Sequence, residues 1–123
     1  MNRIVNATIV KAPYSTDGKW YMSIQLSDED ARAIYIFEEK YKKSRNIEKF
    51  QHSVYNNLLV VKLPFRYNKF ECVVYDKDSH FSSCYELKEK DHVTVSLSHA
   101  GFSLQTNDNI LSSWKTKQIC VTV

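Results

Sequence analysis

A chain of 123 residues with 17 Lys and Arg against 14 Asp and Glu has a net charge of only +3. That balance permits nucleic-acid binding but excludes a histone-like protein held to polyanions by bulk charge alone. Two glycines and two prolines exclude a collagenous or low-complexity chain, and no apolar run is long enough to span a bilayer as a helix.

The length suits one domain covering residues 1–123, with room for a hydrophobic core. Met1-Asn2-Arg3-Ile4 contains no secretory h-region. Cys72, Cys84 and Cys120 are odd in number and lack close spacing, which fits a reducing compartment better than a disulfide framework. A soluble, intracellular protein is expected, with no membrane partner.

In chain order, residues 2–12 predict a strand rich in β-branched types (Ile4, Val5, Ile9, Val10), closed by Pro13. Ser15-Thr16-Asp17-Gly18 is turn chemistry. Lys19 to Leu26 then alternates cleanly. Trp20, Met22, Ile24 and Leu26 share one face; Lys19, Tyr21, Ser23 and Gln25 share the other. The two strands predict a hairpin. At Ser27 the period changes. Ser27 caps a helix, Asp28, Glu29 and Asp30 charge its first turn, and Ala31, Ile34, Phe37 and Tyr41 recur at helical spacing. Lys40, Lys42, Lys43 and Arg45 complement the far end of the helix dipole. Ile47, Phe50 and Val54 predict a second short helix over 46–56, so that a helical insertion occupies about residues 28–56.

Leu58 to Tyr67 returns to strand character, with Val61, Leu63, Phe65 and Tyr67 on one face and Lys62, Pro64 and Arg66 on the other. Pro64 marks an edge or a bulge. Asn68-Lys69 is read as a turn, 70–75 as a strand, Asp76-Lys77-Asp78-Ser79 as a polar turn, and 81–90 as loop with a short strand. Val93, Val95 and Leu97 alternate with Thr94, Ser96 and Ser98; Ala100-Gly101 breaks or bulges that strand before Phe102. A turn over 106–109 leads to the last strand. Strict alternation there puts Ile119, Val121 and Val123 on one face and Trp114, Thr116, Gln118, Cys120 and Thr122 on the other. Roughly six to seven short strands, one helical interruption and no βαβ rhythm predict a mostly-β fold. An OB-fold-like small antiparallel barrel with a helical insertion protects the strand edges best, with a β-sandwich second.

No catalytic motif is present. There is no glycine-rich phosphate loop, no Gly-x-Ser-x-Gly and no His-Glu-x-x-His, and His52, His80, His92 and His99 stand apart in the sequence. An enzyme is not expected, nor a cofactor. Cys72, His80, Cys84 and His92 are zinc-ligand types without the close pairs that grip the ion, so buried thiols are the expected role of the cysteines. The constructive signal is aromatic rings interleaved with cations on strands. Tyr21 lies beside Lys19, Lys62 and Arg66 line one strand face, Lys69 adjoins a turn, Phe102 follows Gly101, and Trp114 sits beside Lys115 and Lys117. Rings that stack bases and cations that neutralise phosphates are what a single-strand binder needs. For Trp114 two readings are open: a base platform, or a plug at an open barrel end with its indole N–H bonded to a neighbouring carbonyl.

The stretch from Pro64 to Val121 carries a resemblance. Its segments are Phe70-Glu71-Cys72-Val73-Val74-Tyr75-Asp76-Lys77-Asp78, Leu87-Lys88-Glu89-Lys90-Asp91-His92-Val93-Thr94-Val95, Leu97 to Phe102, and Ser112-Ser113-Trp114-Lys115 with Gln118-Ile119-Cys120-Val121. In that order they resemble the single-stranded-DNA-binding proteins of large DNA viruses, which are similar to the phage OB-fold single-stranded-DNA-binding proteins. Three features depart from the pattern. Lys90-Asp91 replaces a tight Lys-Gly turn, Phe102 stands where Trp is more usual, and the acidic C-terminal tail by which the phage proteins recruit replication partners has no counterpart in the stretch ending at Val123. The resemblance implies replication or recombination work, coating and protecting single strands, in a viral replication compartment or host nucleus.

The expected nucleic-acid-binding set is therefore Lys19, Tyr21, Lys62, Arg66, Lys69, Phe102, Trp114, Lys115 and Lys117. The implied partners are single-stranded DNA or RNA and replication proteins. The competing reading is a protein-interaction or structural module on the same scaffold, for which an apolar patch near Tyr35, Phe37 and Tyr41 would supply a partner or homodimer surface.

Overall fold

A computed structural model describes residues 1–47, 50–104 and 110–122, with only the backbone described at 102–104 and 110. Strands β1 (Asn2–Thr16) and β2 (Lys19–Leu26) form the expected hairpin through Asp17-Gly18, whose φ angles are 54° and 77°. Two left-handed residues make the turn whose twist matches that of paired strands. β1 therefore runs on past Pro13, where a break was expected. Pro13 falls in a register shift between Lys11 and Tyr14, where its missing N–H removes no ladder bond.

Ser27 Oγ accepts from the Asp30 N–H at 3.1 Å and starts α1 (Asp28–Ser44), as its sequence predicts. The helix buries Ala31, Ile34 and Glu38. The expected second helix does not form. β3 (Phe50–Gln51) runs parallel to Ile110 and Leu111, and β4 (Val54–Tyr55) turns back through Asn56-Asn57 onto β5 (Leu58–Leu63). Both asparagines are left-handed, φ 50° and 63°, so a tight hairpin turn outweighs the helix-compatible spacing of Ile47, Phe50 and Val54.

After Pro64 the chain folds into a small separate hairpin, β6 (Phe65–Arg66) and β7 (Lys69–Phe70). Its turn is Tyr67-Asn68, one residue earlier than expected, so the continuous face predicted from Val61 to Tyr67 ends at Leu63. β8 (Val73–Tyr75) and β9 (Phe81–Ser82) flank the polar turn, where the Asp76 carboxylate accepts from the Asp78 and His80 N–H groups at 2.9 Å each. A short 3-10 turn at Cys84–Glu86 precedes β10 (His92–Leu104) and β11 (Ile110–Val121).

Five strands close a barrel in the order β1-β2-β5-β11-β10 and back to β1. Neighbours are antiparallel except at the β5–β11 seam, which is parallel and pairs Val61 with Trp114 and Lys62 with Lys115. This is an OB-fold-like barrel with one inserted helix. Val5, Ile9, Met22, Ile24, Leu59, Val61, Val95, Leu97 and Ile119 fill it.

The strict alternation expected of the last strand fails at one residue. Ser96 pairs with Gln118 but Leu97 pairs with Thr116, so Lys117 is an extra residue in β11. The Thr116 hydroxyl bridges the bulge, donating to the Gln118 carbonyl at 3.0 Å and accepting from its N–H at 3.2 Å. A bulge reverses the parity of every side chain beyond it. Trp114 and Thr116 on one side of it, and Ile119 on the other, therefore all point inward.

Trp114 is 0% exposed and meets α1. Its Nε1 donates to Glu38 Oε2 at 3.0 Å, and the same oxygen accepts from the Ser53 hydroxyl at 2.7 Å. Glu38 Oε1 accepts from the Ser53 N–H at 3.2 Å and contacts His52 Nδ1 at 3.1 Å. At the other end of the helix, Arg3 Nε and Nη2 reach Asp30 Oδ1 at 3.0 and 2.8 Å and tie α1 to β1.

Two outcomes follow for stability. Glu38→Ala leaves a buried indole N–H and a hydroxyl without their acceptor; a loss of about 2–4 kcal/mol is expected, read as a lowered denaturation midpoint. Lys90 is held at φ 73° while its N–H donates to the Ile9 carbonyl at 2.7 Å. Lys90→Gly removes that strain and is expected to add about 0.5–1 kcal/mol in the same measurement.

Candidate nucleic-acid interface

The outer face of the barrel is set by where β1 bulges. It gains one residue over β2 between Ile9 and Lys11 and another between Lys11 and Tyr14. Lys11 thus pairs with Ser23, and Tyr14 with Tyr21, all facing outward although 11 and 14 differ in parity. The Tyr14 and Tyr21 ring centroids lie 5.9 Å apart at 35°, and Lys11 Nζ sits 4.1 Å from the Tyr14 centroid.

The row continues around the barrel. Tyr21 is opposite Lys62 across the β2–β5 ladder, and Lys62 is opposite Lys115 across the parallel seam. Two ammonium groups thus face the same side of the sheet at one paired position. Like charges directly opposite each other destabilise a sheet. Neither lysine has an ion-pair partner among the described residues. Beside them lies a cleft of about 230 Å³ walled by Lys19, Tyr21, Lys62, Pro64, Phe65 and Lys115, and none of its described lining residues is acidic. Lys19, Tyr21, Lys62 and Lys115 are therefore brought together.

The other expected residues divide. Arg66 and Lys69 pair across the β6–β7 hairpin, beyond the cleft wall at Phe65; both are exposed, and Arg66 Nε lies 3.7 Å from Glu71 Oε1. Lys117, the bulge residue, lines a separate shallow hollow with Ser96, Ser98 and Gln118. The Phe102 side chain lies outside the described residues.

Trp114 is a correction. Fully buried, it has no ring face to offer a base, because the Lys117 bulge turns it inward and Glu38 holds its indole. Its role is the plug, with a carboxylate in place of the carbonyl that the sequence suggested. Lys11 and Tyr14 belong to the row but were missed. The signal was the Asp-Gly dipeptide: a two-residue turn there requires strand on both sides, which carries β1 past Pro13 to Tyr14.

Around the plug, Phe37 packs 5.6 Å from the Trp114 ring and 5.1 Å from His99, and Tyr41 lies 5.0 Å from His99. Phe37 and Tyr41 are thus half-buried in the helix–barrel junction. Of those three residues Tyr35 alone is exposed, stacked on His52 at 4.1 Å. The Glu38–His52–Ser53 cluster has the residue types of a catalytic site, yet it lies at this junction with its side-chain polar atoms engaged by one another, by the Trp114 indole and by Glu39.

Cys72 and Cys84, distant in sequence, are buried neighbours; the hydrogen bond between them and then burial push the Cys72 thiol far above the ordinary thiol range. Among the described residues no three His, Cys, Asp or Glu side chains converge on a point, and no helix is long and apolar enough to cross a membrane. Another surface depression, of about 770 Å³, is lined by groups such as Asn6, Thr8, Gln25, Ser27 and Thr122, and none of its described lining residues is a lysine or arginine.

The barrel is similar to solved phage structures. A single-stranded DNA-binding protein from bacteriophage Enc34 superposes with a TM-score of 0.69 at 10% identity, covering 98% of this chain and 80% of that one. The same phage protein in complex with ssDNA gives 0.68 at 10% identity, covering 98% and 85%. Gp2.5, a single-stranded DNA-binding protein encoded by bacteriophage T7, gives 0.62 at 9% identity, covering 98% and 90%. At such identities the likeness is one of fold. No family model and no curated protein matches the sequence.

His99 supplies a test of the plug. Burial holds its imidazole below the ordinary value of 6.5, with the Glu38 charge opposing that shift, and its Nε2 lies 2.8 Å from Ser112 Oγ. The unfolded chain takes up this proton more readily. The contribution to stability is thus fully present above pH 6.5 and is lost as pH falls from there through the folded-state value. An NMR titration should place the His99 midpoint below 6.5, with the thermal midpoint starting to fall on acidification below that pH; a midpoint at or above 6.5 would rule out the burial account.

Proposed function

We propose that this protein binds single-stranded DNA, without catalysis and with little sequence preference, along the outer row formed by Lys11, Tyr14, Tyr21, Lys62 and Lys115. The observation that carries the reading is the Lys62–Lys115 opposition next to two rings. Two like charges with no acid between them weaken the sheet but suit a phosphate that bridges them. Tyr21 and Tyr14 offer flat faces beside that position, and a ring face accepts any base. Lys19 on the cleft wall takes a neighbouring phosphate, and Lys117 extends the cationic track along β11.

The fold shared with phage single-stranded DNA-binding proteins, one of them solved with ssDNA, supports the reading. A role in viral DNA replication or recombination follows as part of the same proposal, and RNA is the ligand to compare against.

The test is fluorescence anisotropy with labelled oligo-dT at low salt. Affinity should fall as salt rises, with a log–log slope steepened by about 0.7 for each phosphate contact. Lys62→Ala should flatten that slope by about one such step, and Tyr21→Ala should weaken binding by about 1–3 kcal/mol. No binding at micromolar protein would refute the proposal, and equal affinity for duplex would refute its single-strand preference.

A further inference from the structure

The β6–β7 hairpin holds a residue that folding does not explain. Tyr67 is 89% exposed, more than any other large hydrophobic side chain among the described residues. It makes no ring contact among the described residues, although its neighbours Phe65 and Phe70 make several. Its backbone is left-handed, at φ 54°. The first position of such a two-residue turn favours Asn, Asp or Gly, and a bulky side chain there is strained. A sequence selected for stability alone would not put a tyrosine at this position.

The hairpin that carries Tyr67 is well anchored. Phe65 and Phe70 pair across it with centroids 4.9 Å apart, Phe70 packs on Trp20 at 5.0 Å and on Tyr85 at 5.1 Å, and the Glu71 N–H donates to the Pro64 carbonyl at 2.9 Å. Its root is also the wall of the cleft, since Pro64 and Phe65 line the cavity with Tyr21, Lys62 and Lys115. Arg66 and Lys69 flank the tip, paired across the two strands. The arrangement is a ring on a braced arm, between two cations, continuous with a cationic cleft.

We infer that Tyr67 is a further base-stacking platform, with Arg66 and Lys69 taking the adjoining phosphates, so that a bound single strand leaves the barrel along the β6–β7 hairpin. This rests on the single-strand reading above and extends it to a site outside the barrel row. The backbone strain at Tyr67 is kept because the ring acts on the ligand.

The test separates binding from folding. Tyr67→Asn suits the left-handed backbone and removes the ring; Tyr67→Phe keeps a stacking face. Anisotropy titrations with oligo-dT of about 16 nucleotides, the upper end of the site size of one OB barrel, are run beside thermal melts. Tyr67→Asn should melt at or above the wild-type temperature yet bind roughly 5- to 100-fold more weakly, while Tyr67→Phe binds within about twofold of wild type. Wild-type affinity in Tyr67→Asn overturns the inference and leaves the barrel row standing. Absence of binding by the wild-type chain removes the single-strand reading and this inference together.

Discussion

A single carboxylate shut away from water joins the two parts of this molecule. Each oxygen of Glu38 meets two polar groups, contributed by the Trp114 indole, the Ser53 hydroxyl and amide, and the His52 ring. A buried carboxylate is costly unless each acceptor site is satisfied, and satisfied it fixes geometry strongly. The helix can dock only where the last strand presents the indole, and the segment after the helix must return to bring Ser53 to the same point. The loop chemistry of residues 50–57 and the inward turn of Trp114 are thus parts of one arrangement.

Bulges do the rest of the positioning. One residue at Lys117 turns Trp114 into the core, and two in β1 bring Lys11 and Tyr14 onto the same outer face as Tyr21. Without them β11 could not bury both Trp114 and Ile119, and Lys11 could not share the outer face with Tyr14 and Tyr21. The plug and the proposed binding row both arise from local departures from two-residue periodicity.

This explains what the sequence disclosed and what it hid. The β1–β2 hairpin, the Ser27 cap with its acidic first turn, and the alternation of β2 and β10 follow from nearest-neighbour chemistry and were legible. So was the mostly-β barrel with an inserted helix. Lys19, Tyr21 and Lys62 sit in unbulged stretches, so simple alternation placed them on the outer face correctly. Trp114 failed because a bulge is visible only through a pairing partner far away in sequence. Alternation puts Tyr67 on one face with Val61 and Leu63 only if the strand runs on past Pro64, whereas the Tyr67-Asn68 turn folds it into a hairpin. Glu38 gave no sign of burial, since its donors lie on other elements. Tyr14 was missed for a different reason, since the Asp-Gly turn by itself sets it opposite Tyr21 and needs no distant partner to reveal it.

The parallel seam between β5 and β11 has a thermodynamic consequence. The barrel is closed there by only two paired positions, Trp114 with Val61 and Lys115 with Lys62, and the second sets charge against charge. That ladder is shorter than any other in the barrel wall, so local opening is expected there first. An anion bridging those two ammonium groups acts as a clasp on the seam. On the proposed reading, closure of the wall and occupancy of the cleft are linked equilibria, each favouring the other to the same degree, so a nucleic-acid strand bound in the cleft would also hold the barrel shut.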